Sequence, residues 1–310
     1  MQDLGARATY LTYRALGAGM QRLPEPAAAA AAAVVGEVLG RTRPSVRAMR
    51  ARNMERVLSS TSPAVPPDPA VVDRWVRRSF RAYARYWLEG ARLPATGRDE
   101  VLRRMWVERG YEHLKRGMAE GRGVVMVLPH VGSWEWGGYF LAEEGYPMTT
   151  VAERIEPPEL FDWFIEQRHL MGLRVVPLGQ GSSAAVLKAL RSGLLVGLLA
   201  DRDIDGSGVE VELFGETTTL PAGPATLALR TGAPLITAAV YSGPGRDHTG
   251  VIGPPIDATR QGSLRSDVAR VTQVIAHELE GLIRRAPEQW HLFQPNWPAD
   301  RPEGAATRPG

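Results

Sequence analysis

The sequence predicts an α/β protein: a mostly parallel or mixed central sheet flanked by helices, with an N-terminal helical region. Three observations predict it. From about Gly121 onward, short apolar runs alternate with Gly/Pro turns and helical stretches, the texture of strands joined by helices in a largely parallel sheet. Before about residue 120 the chain reads as helical and basic. With 310 residues, 44% of them hydrophobic and 23% charged, the chain can bury a sizeable core and still form a pocket. The expected division is a helical part over residues 1–120, joined in one domain to an α/β core over 121–298, with a disordered tail at 299–310.

Taken in order, Pro24–Pro26 opens an alanine-rich helix, since proline is tolerated in a first turn. The run PAVPPDP from Pro63 to Pro69 divides the helical region in two. The helix after Pro69 is amphipathic: Val72, Val76, Phe80, Tyr83 and Trp87 form one stripe, and Arg74, Arg78, Arg81 and Arg85 lie opposite. Two readings stand: a helix packed on the core with its arginines in water, or one lying on a bilayer with its aromatics at the interface. Strands are expected at Val124–Leu128, Thr149–Val151, Arg174–Leu178, Leu194–Leu199, Val209–Leu213, Leu235–Val240 and Gly250–Ile252. Helices are expected at Phe161–Met171, Ala184–Ser192, Ala222–Thr231 and Asp267–Arg285. The Pro/Gly-rich, polar end of the chain predicts disorder.

Composition removes several chemistries. There is no cysteine, so a disulfide scaffold, a thiolate zinc site and an acyl-cysteine intermediate are excluded. A formal charge of +3 is too mild for a nucleic-acid binder. It suits anionic head groups or a phosphorylated cofactor, and it also follows from a codon preference for Arg and Ala. The longest apolar runs, Ala27–Val35 and Gly193–Ala200, fall far short of the roughly 20 residues that span a bilayer. Met1 to Tyr13 carries no apolar signal-peptide core, so a cytoplasmic protein is expected.

His130 follows the strand Val124–Leu128 after one proline. Ligand sites of open α/β sheets gather beyond the carboxyl ends of strands. Glu135 lies five residues on, about 140° away on a continuous helix. The two meet only if His130 ends the strand and Glu135 sits in the first turn of the next helix. The carboxylate would then orient one imidazole nitrogen, leaving the other as a general base near neutral pH. A hydrogen-bonded structural histidine is the competing reading. Ser133 lies in V-G-S-W-E, not G-x-S-x-G, so it reads as a turn or helix cap rather than a nucleophile. His113, His169, His248, His277 and His291 show no metal-ligand spacing.

The run VVMVLPHVGSWEWGG resembles the HX4(D/E) motif of the bacterial lipid A lauroyl/myristoyl acyltransferase family, and most of all its actinobacterial branch, the phosphatidylinositol mannoside acyltransferases. The strings VAERIEPPELFDWFIEQRHLMGLRVVPLG, LLADRDIDGSGVEVELFGETTTLPAGPATLALRTGAPLI and PEQWHLFQPNW follow in the family's order, so the likeness covers Val124 to Trp297. It implies a glycerolipid-acyltransferase-like fold and an acyl-CoA donor, with palmitoyl-CoA expected. It further implies a glycolipid acceptor in the membrane and direct transfer without a covalent enzyme intermediate. No cofactor, metal or nucleic acid is implied. A monomer held peripherally at the cytoplasmic face of the plasma membrane is expected.

By resemblance His130 is the base and Glu135 its acidic partner, in a branch that usually has Asp there. Arg154, in the A-E-R string, matches an arginine beside the site that would bind a phosphate or the oxyanion, or form a salt bridge to Glu153 or Asp203. Arg168, in the same string, is a further substrate-binding candidate. Asp201 matches an acidic position at the site's edge, where it would hold Arg154 or a sugar hydroxyl. Asp203 accompanies it, and a loop salt bridge with Arg202 is the plainer reading of both. Gly223, at a helix start, would offer N–H groups to a phosphate. The segment PEQWH is expected to close the fold. Alternatives are acylation of another glycolipid or a lysophospholipid, hydrolysis of acyl-CoA, and lipid binding without catalysis.

Overall fold

A computed structural model describes residues 4–61, 65–204 and 206–300. In chain order the described strands are β1 (Met105–Arg109), β2 (Val124–Leu128), β3 (Met148–Ala152), β4 (Arg174–Pro177), β5 (Leu195–Leu199), β6 (Val209–Leu213), β7 (Glu216–Leu220), β8 (Leu235–Ser242) and β9 (His248–Ile252). The helices are α1 (Leu4–Arg22), α2 (Glu25–Thr42), α3 (Pro44–Ser59), α4 (Pro69–Arg92), α5 (Arg98–Arg104), α6 (Tyr111–Ala119), α7 (Trp134–Glu143), α8 (Pro158–Leu170), α9 (Ser182–Arg191), α10 (Gly223–Thr231) and α11 (Leu264–Arg285).

Seven strands form one sheet in the order β1-β9-β8-β2-β5-β3-β4, and β6 and β7 form a separate hairpin. Within the sheet only β8 and β9 run antiparallel. The central strand β2 is buried along its whole length. Val125 and Val127 enter the core shared with α9, α10 and α11, whereas Val124, Met126 and Leu128 enter the core shared with α5, α6 and α7. Period-two alternation gives each face of the strand its own core, and a strand covered on both faces reads as an unbroken apolar run. This confirms the α/β expectation of a mostly parallel, mixed sheet flanked by helices.

Two strands differ from the sequence reading. β1 lies in the region expected to be wholly helical and pairs with β9 at the sheet edge. Only Met105 of its five residues is buried, so the strand carries almost no apolar pattern. β7, ETTTL, is polar and is completed by pairing with β6. Of the expected tail, residues 301–310 lie outside the described residues. Pro298–Asp300 instead form a short 3-10 turn, in which buried Asp300 accepts Arg56 Nη1 at 2.7 Å.

The N-terminal helices are tied to the closing segment of the chain. Asn53 on α3 donates to Leu292 O at 3.1 Å, beside the Arg56–Asp300 pair. α4 buries Val72, Val76 and Phe80, as its stripe predicts, but leaves Trp87 43% exposed. Its arginine face is divided. Arg81 pairs with Glu37, and Arg85 pairs with Glu89 and with the carbonyls of Gly243 and Gly245, while Arg74 and Arg78 are exposed. α2 approaches α4 at Gly36, where a Cβ would meet Phe80 O at 2.7 Å. No helix among the described residues is long and apolar enough to cross a membrane.

Candidate active site

β2 and β5 pair in parallel with Leu128 opposite Leu199. The ladder continues for one more bond, Ala200 N to Leu128 O at 3.0 Å. His130 and Asp201, each two residues beyond its strand, therefore emerge side by side at the carboxyl edge of the sheet. Asp201 Oδ2 accepts the His130 backbone N–H at 3.0 Å, and its Oδ1 lies 2.5 Å from His130 Nδ1.

Asp201 is fully buried. Burial alone would raise its pKa, but the charge of His130 and hydrogen bonds from His130 and Trp290 hold the carboxyl down at about 2. Trp290 Nε1 donates to Oδ2 at 2.7 Å, and Asn296 Nδ2 fixes the Asp201 carbonyl at 3.1 Å. An ionised carboxylate accepts only. Nδ1 of His130 therefore carries a proton, and in the neutral imidazole Nε2 is the nitrogen with the free lone pair. With its side chain 23% exposed, His130 has the orientation and the access that a general base requires.

This corrects the expected pairing of the histidine. Asp201, rather than Glu135, holds the His130 imidazole, and Asp201 binds neither Arg154 nor Arg202. Glu135 does sit in the first turn of α7, but that turn faces α4 and α8. Its Oε1 accepts Tyr86 Oη at 3.0 Å and Arg168 Nη2 at 3.1 Å. Its Oε2 is buried without a hydrogen-bond partner among the described residues. Burial and the neighbouring carboxylate push the Tyr86 phenol well above its ordinary pKa, so it stays a neutral donor. The Arg168 guanidinium also lies over the Trp134 ring at 5.3 Å.

Of the other expected residues, Arg168 alone is brought to the Glu135 side of the site. Arg154 is exposed, with its guanidinium 5.9 Å from the Phe161 ring centre, and forms no ion pair among the described residues. Glu153 pairs with Arg202 instead, at 3.3 Å. Asp203 does not enter a salt bridge among the described residues either. It accepts from Gly206 N, Gly208 N and Thr219 Oγ1, which folds the loop before β6. Gly223 opens α10 as expected but shares no hydrogen bond with His130 or Asp201 among the described residues. No group of three or more His, Asp or Glu side chains able to hold a metal comes together among those residues.

The turn from Val131 to Ser133 is pinned on every side. Gly132 N bonds to Gln289 O, Ser133 N to Val240 O, and His291 N to His130 O. Gly132 has φ +58°, and a Cβ there would stand 2.0 Å from Val240 O, so only glycine fits. His291 Nε2 lies 3.0 Å from Gly132 O. A carbonyl only accepts, so Nε2 carries the proton, and burial lowers the pKa of this ring to about 3. The PEQWH segment thus does more than close the fold, since Trp290 and His291 brace Asp201 and His130.

Residues 5–298 match the model of a family described as bacterial lipid A biosynthesis acyltransferase. A phosphatidylinositol mannoside acyltransferase of Mycobacterium tuberculosis is 38% identical over 256 residues, covering 81% of this chain and 77% of that protein. One from Mycolicibacterium smegmatis is 36% identical over 263 residues, covering 84% and 82%.

Proposed function

We propose, from the premise that this chain belongs to the bacterial lipid A biosynthesis acyltransferase family, that it moves a fatty acyl group from acyl-CoA to a mannose hydroxyl of a phosphatidylinositol mannoside. The acceptor class follows the relatives named as phosphatidylinositol mannoside acyltransferases. The observation that carries the mechanism is the 2.5 Å contact between His130 Nδ1 and Asp201, which leaves Nε2 as the base.

In this reading, Nε2 takes the proton of the acceptor hydroxyl as its oxygen attacks the thioester carbonyl. The carbonyl π electrons move to oxygen, giving a tetrahedral oxyanion. Its collapse re-forms the carbonyl and breaks the C–S bond, and the His130 imidazolium returns its proton to the departing thiolate. Asp201 stabilises the imidazolium between these steps, as the acid of a Ser-His-Asp triad does. Arg168 supplies positive charge near the site and is itself held by Glu135. Exposed Arg154 is the candidate for a phosphate of acyl-CoA.

Trp87 adjoins Tyr86 and packs edge-on against Phe164 at 6.2 Å. The side of α4 that reaches Glu135 therefore continues into an exposed aromatic surface. A peripheral seat on the cytoplasmic membrane surface, with the site opening toward its lipid acceptor, fits this arrangement. The decisive experiment follows the lipid formed from palmitoyl-CoA and a purified mannoside in mixed micelles. Wild type should add one palmitoyl mass, and His130→Ala should form less than a few per cent of it while remaining folded. Persistent transfer by His130→Ala would sink the mechanism.

A further inference from the structure

Near its end α4 carries Glu89, a carboxylate that the proposed reaction does not use. Glu89 Oε1 takes Arg85 Nε at 2.6 Å. Its Oε2 takes Ser133 Oγ at 2.6 Å, His248 Nε2 at 3.1 Å and Ser242 Oγ at 3.2 Å. The inner part of the cluster is buried, while the Glu89 and Arg85 side chains keep 14% and 31% exposure. His248 is 1% and Ser133 2% exposed, and Trp136 stacks on His248 with ring centres 4.2 Å apart. Burial would raise the Glu89 pKa, but His248, Arg85 and Ser133 hold it at about 2.

Ser133 occupies the N-cap position of α7, yet its side chain caps nothing there. A serine in that place ordinarily accepts from the first helical turn. Here the hydroxyl donates to Glu89. Ser133 is also the one polar side chain between His130 and α7. The backbone bonds that hold this turn lead to β8 and to the segment after α11. Glu89 adds the link to α4, and it binds the end of β8 through Ser242 and the start of β9 through His248.

We propose that Glu89 is a positioning residue: through Ser133, its carboxylate fixes the turn that carries His130 and so sets the imidazole's place against the bound acyl donor. This rests on the reading of His130 as the base. The relay predicts that Glu89 and Ser133 act as one unit, which a double-mutant cycle detects. Catalysis tolerates little displacement of a reacting group, with an ångström costing up to about 100-fold.

The test compares wild type, Glu89→Gln, Ser133→Ala and the double variant in palmitoyl-CoA transfer to a purified phosphatidylinositol mannoside. A second readout needs no activity. It is the low-field NMR signal of the proton between His130 Nδ1 and Asp201, identified by its loss in Asp201→Asn. Each single variant should lower kcat by about tenfold or more with KM for the donor within about twofold, and should shift the low-field signal in the same direction. The double variant should be no worse than the weaker single.

An unmoved signal, a kcat within about twofold of wild type in the folded variants, or losses that multiply in the double variant would overturn the proposal. If Glu89→Gln does not fold, Ser133→Ala decides by the same readouts, because it leaves the Glu89–Arg85–His248 cluster in place. Should His130→Ala transfer at full rate in this assay, the reading of the reaction fails, and the NMR comparison still decides the role of Glu89.

Discussion

At the scale of single residues, Asp201 makes two separable predictions. The first is catalytic. Asn at this position keeps the shape but loses the charge that stabilises the imidazolium, and its amide favours the wrong imidazole tautomer. Asp201→Asn should lower kcat by about 100-fold or more with little change in KM, as for the acid of a catalytic triad. The second concerns stability. The folded pKa of Asp201 is depressed to about 2, against about 3.9 for an unperturbed aspartate. The folded state therefore binds the proton less readily than the unfolded one. The resulting stabilisation, of order 2 kcal/mol, is fully present above about pH 4 to 5 and is lost as the pH falls through about 2. Denaturant titrations at stepped pH should show wild type losing stability over that window, with a shallower loss in Asp201→Asn. Equal slopes would mean that the pair contributes nothing to acid sensitivity. His130 was legible in the sequence because a histidine just past an apolar strand announces its place. Asp201 was visible as an acid past another such strand, but its partner was not. The register between β2 and β5, strands 71 residues apart at the pairing of Val124 with Leu195, is set by packing rather than by any local signal. Glu135 misled for the same reason. Its spacing from His130 permits a contact, while the direction of the α7 first turn depends on α4 and α8.

At the scale of elements, α4 shows what an amphipathic pattern reveals and what it hides. The stripe Val72, Val76, Phe80 marks the buried side correctly. Tyr86 and Glu89 reach Glu135 and Ser133, but Tyr86 falls beside the apolar stripe and Glu89 continues the arginine stripe four residues past Arg85, so periodicity gave no reason to single them out. β1 and β7 were missed because edge and hairpin strands gain their order from partners and need no apolar run of their own. The joint between α2 and α4 is testable. Gly36 lets the two backbones touch, and a valine would drive its side chain into Phe80 O and Arg81 Cα, which would lie 2.7 and 2.8 Å from its Cβ. Gly36→Val should destabilise the fold by about 1–3 kcal/mol, the usual effect of overpacking, measured as a lower denaturation midpoint at unchanged m-value. Gly90→Ala, where an added Cβ meets nothing within 4 Å, should be neutral or slightly stabilising by helix propensity. Equal effects of the two substitutions would show that the close approach carries no energy.

For the whole molecule the proposed lipid acceptor raises the question of how a protein without a described spanning helix would reach it. The exposed apolar side chains include Val34, Val35 and Val38 on α2, at 62, 47 and 49%, and Trp87 on α4 at 43%. The three valines share one face of α2, since they sit at helical neighbours i, i+1 and i+4. Trp87 borders the Tyr86–Glu135–Arg168 side of the site. Each side chain alone is ordinary for a soluble surface. Together with exposed Arg74 and Arg78 they supply the apolar and cationic contributions that interfacial binding needs. The two contributions respond differently to salt, because screening weakens the attraction of arginine to anionic lipid and leaves apolar insertion largely intact. Sedimentation with vesicles of phosphatidylcholine alone and with added anionic phosphatidylinositol should therefore show stronger binding to the second, weakened between low and physiological salt. Arg74→Glu with Arg78→Glu should remove the anionic preference. Trp87→Ser should lower binding to both vesicle types and raise the apparent KM for a vesicle-borne acceptor, while leaving hydrolysis or transfer to a soluble acceptor unchanged. If Trp87→Ser binds and turns over as wild type does on vesicles, the aromatic rim beside the site is not where the protein meets its membrane, and the face of α2 becomes the surface to vary next.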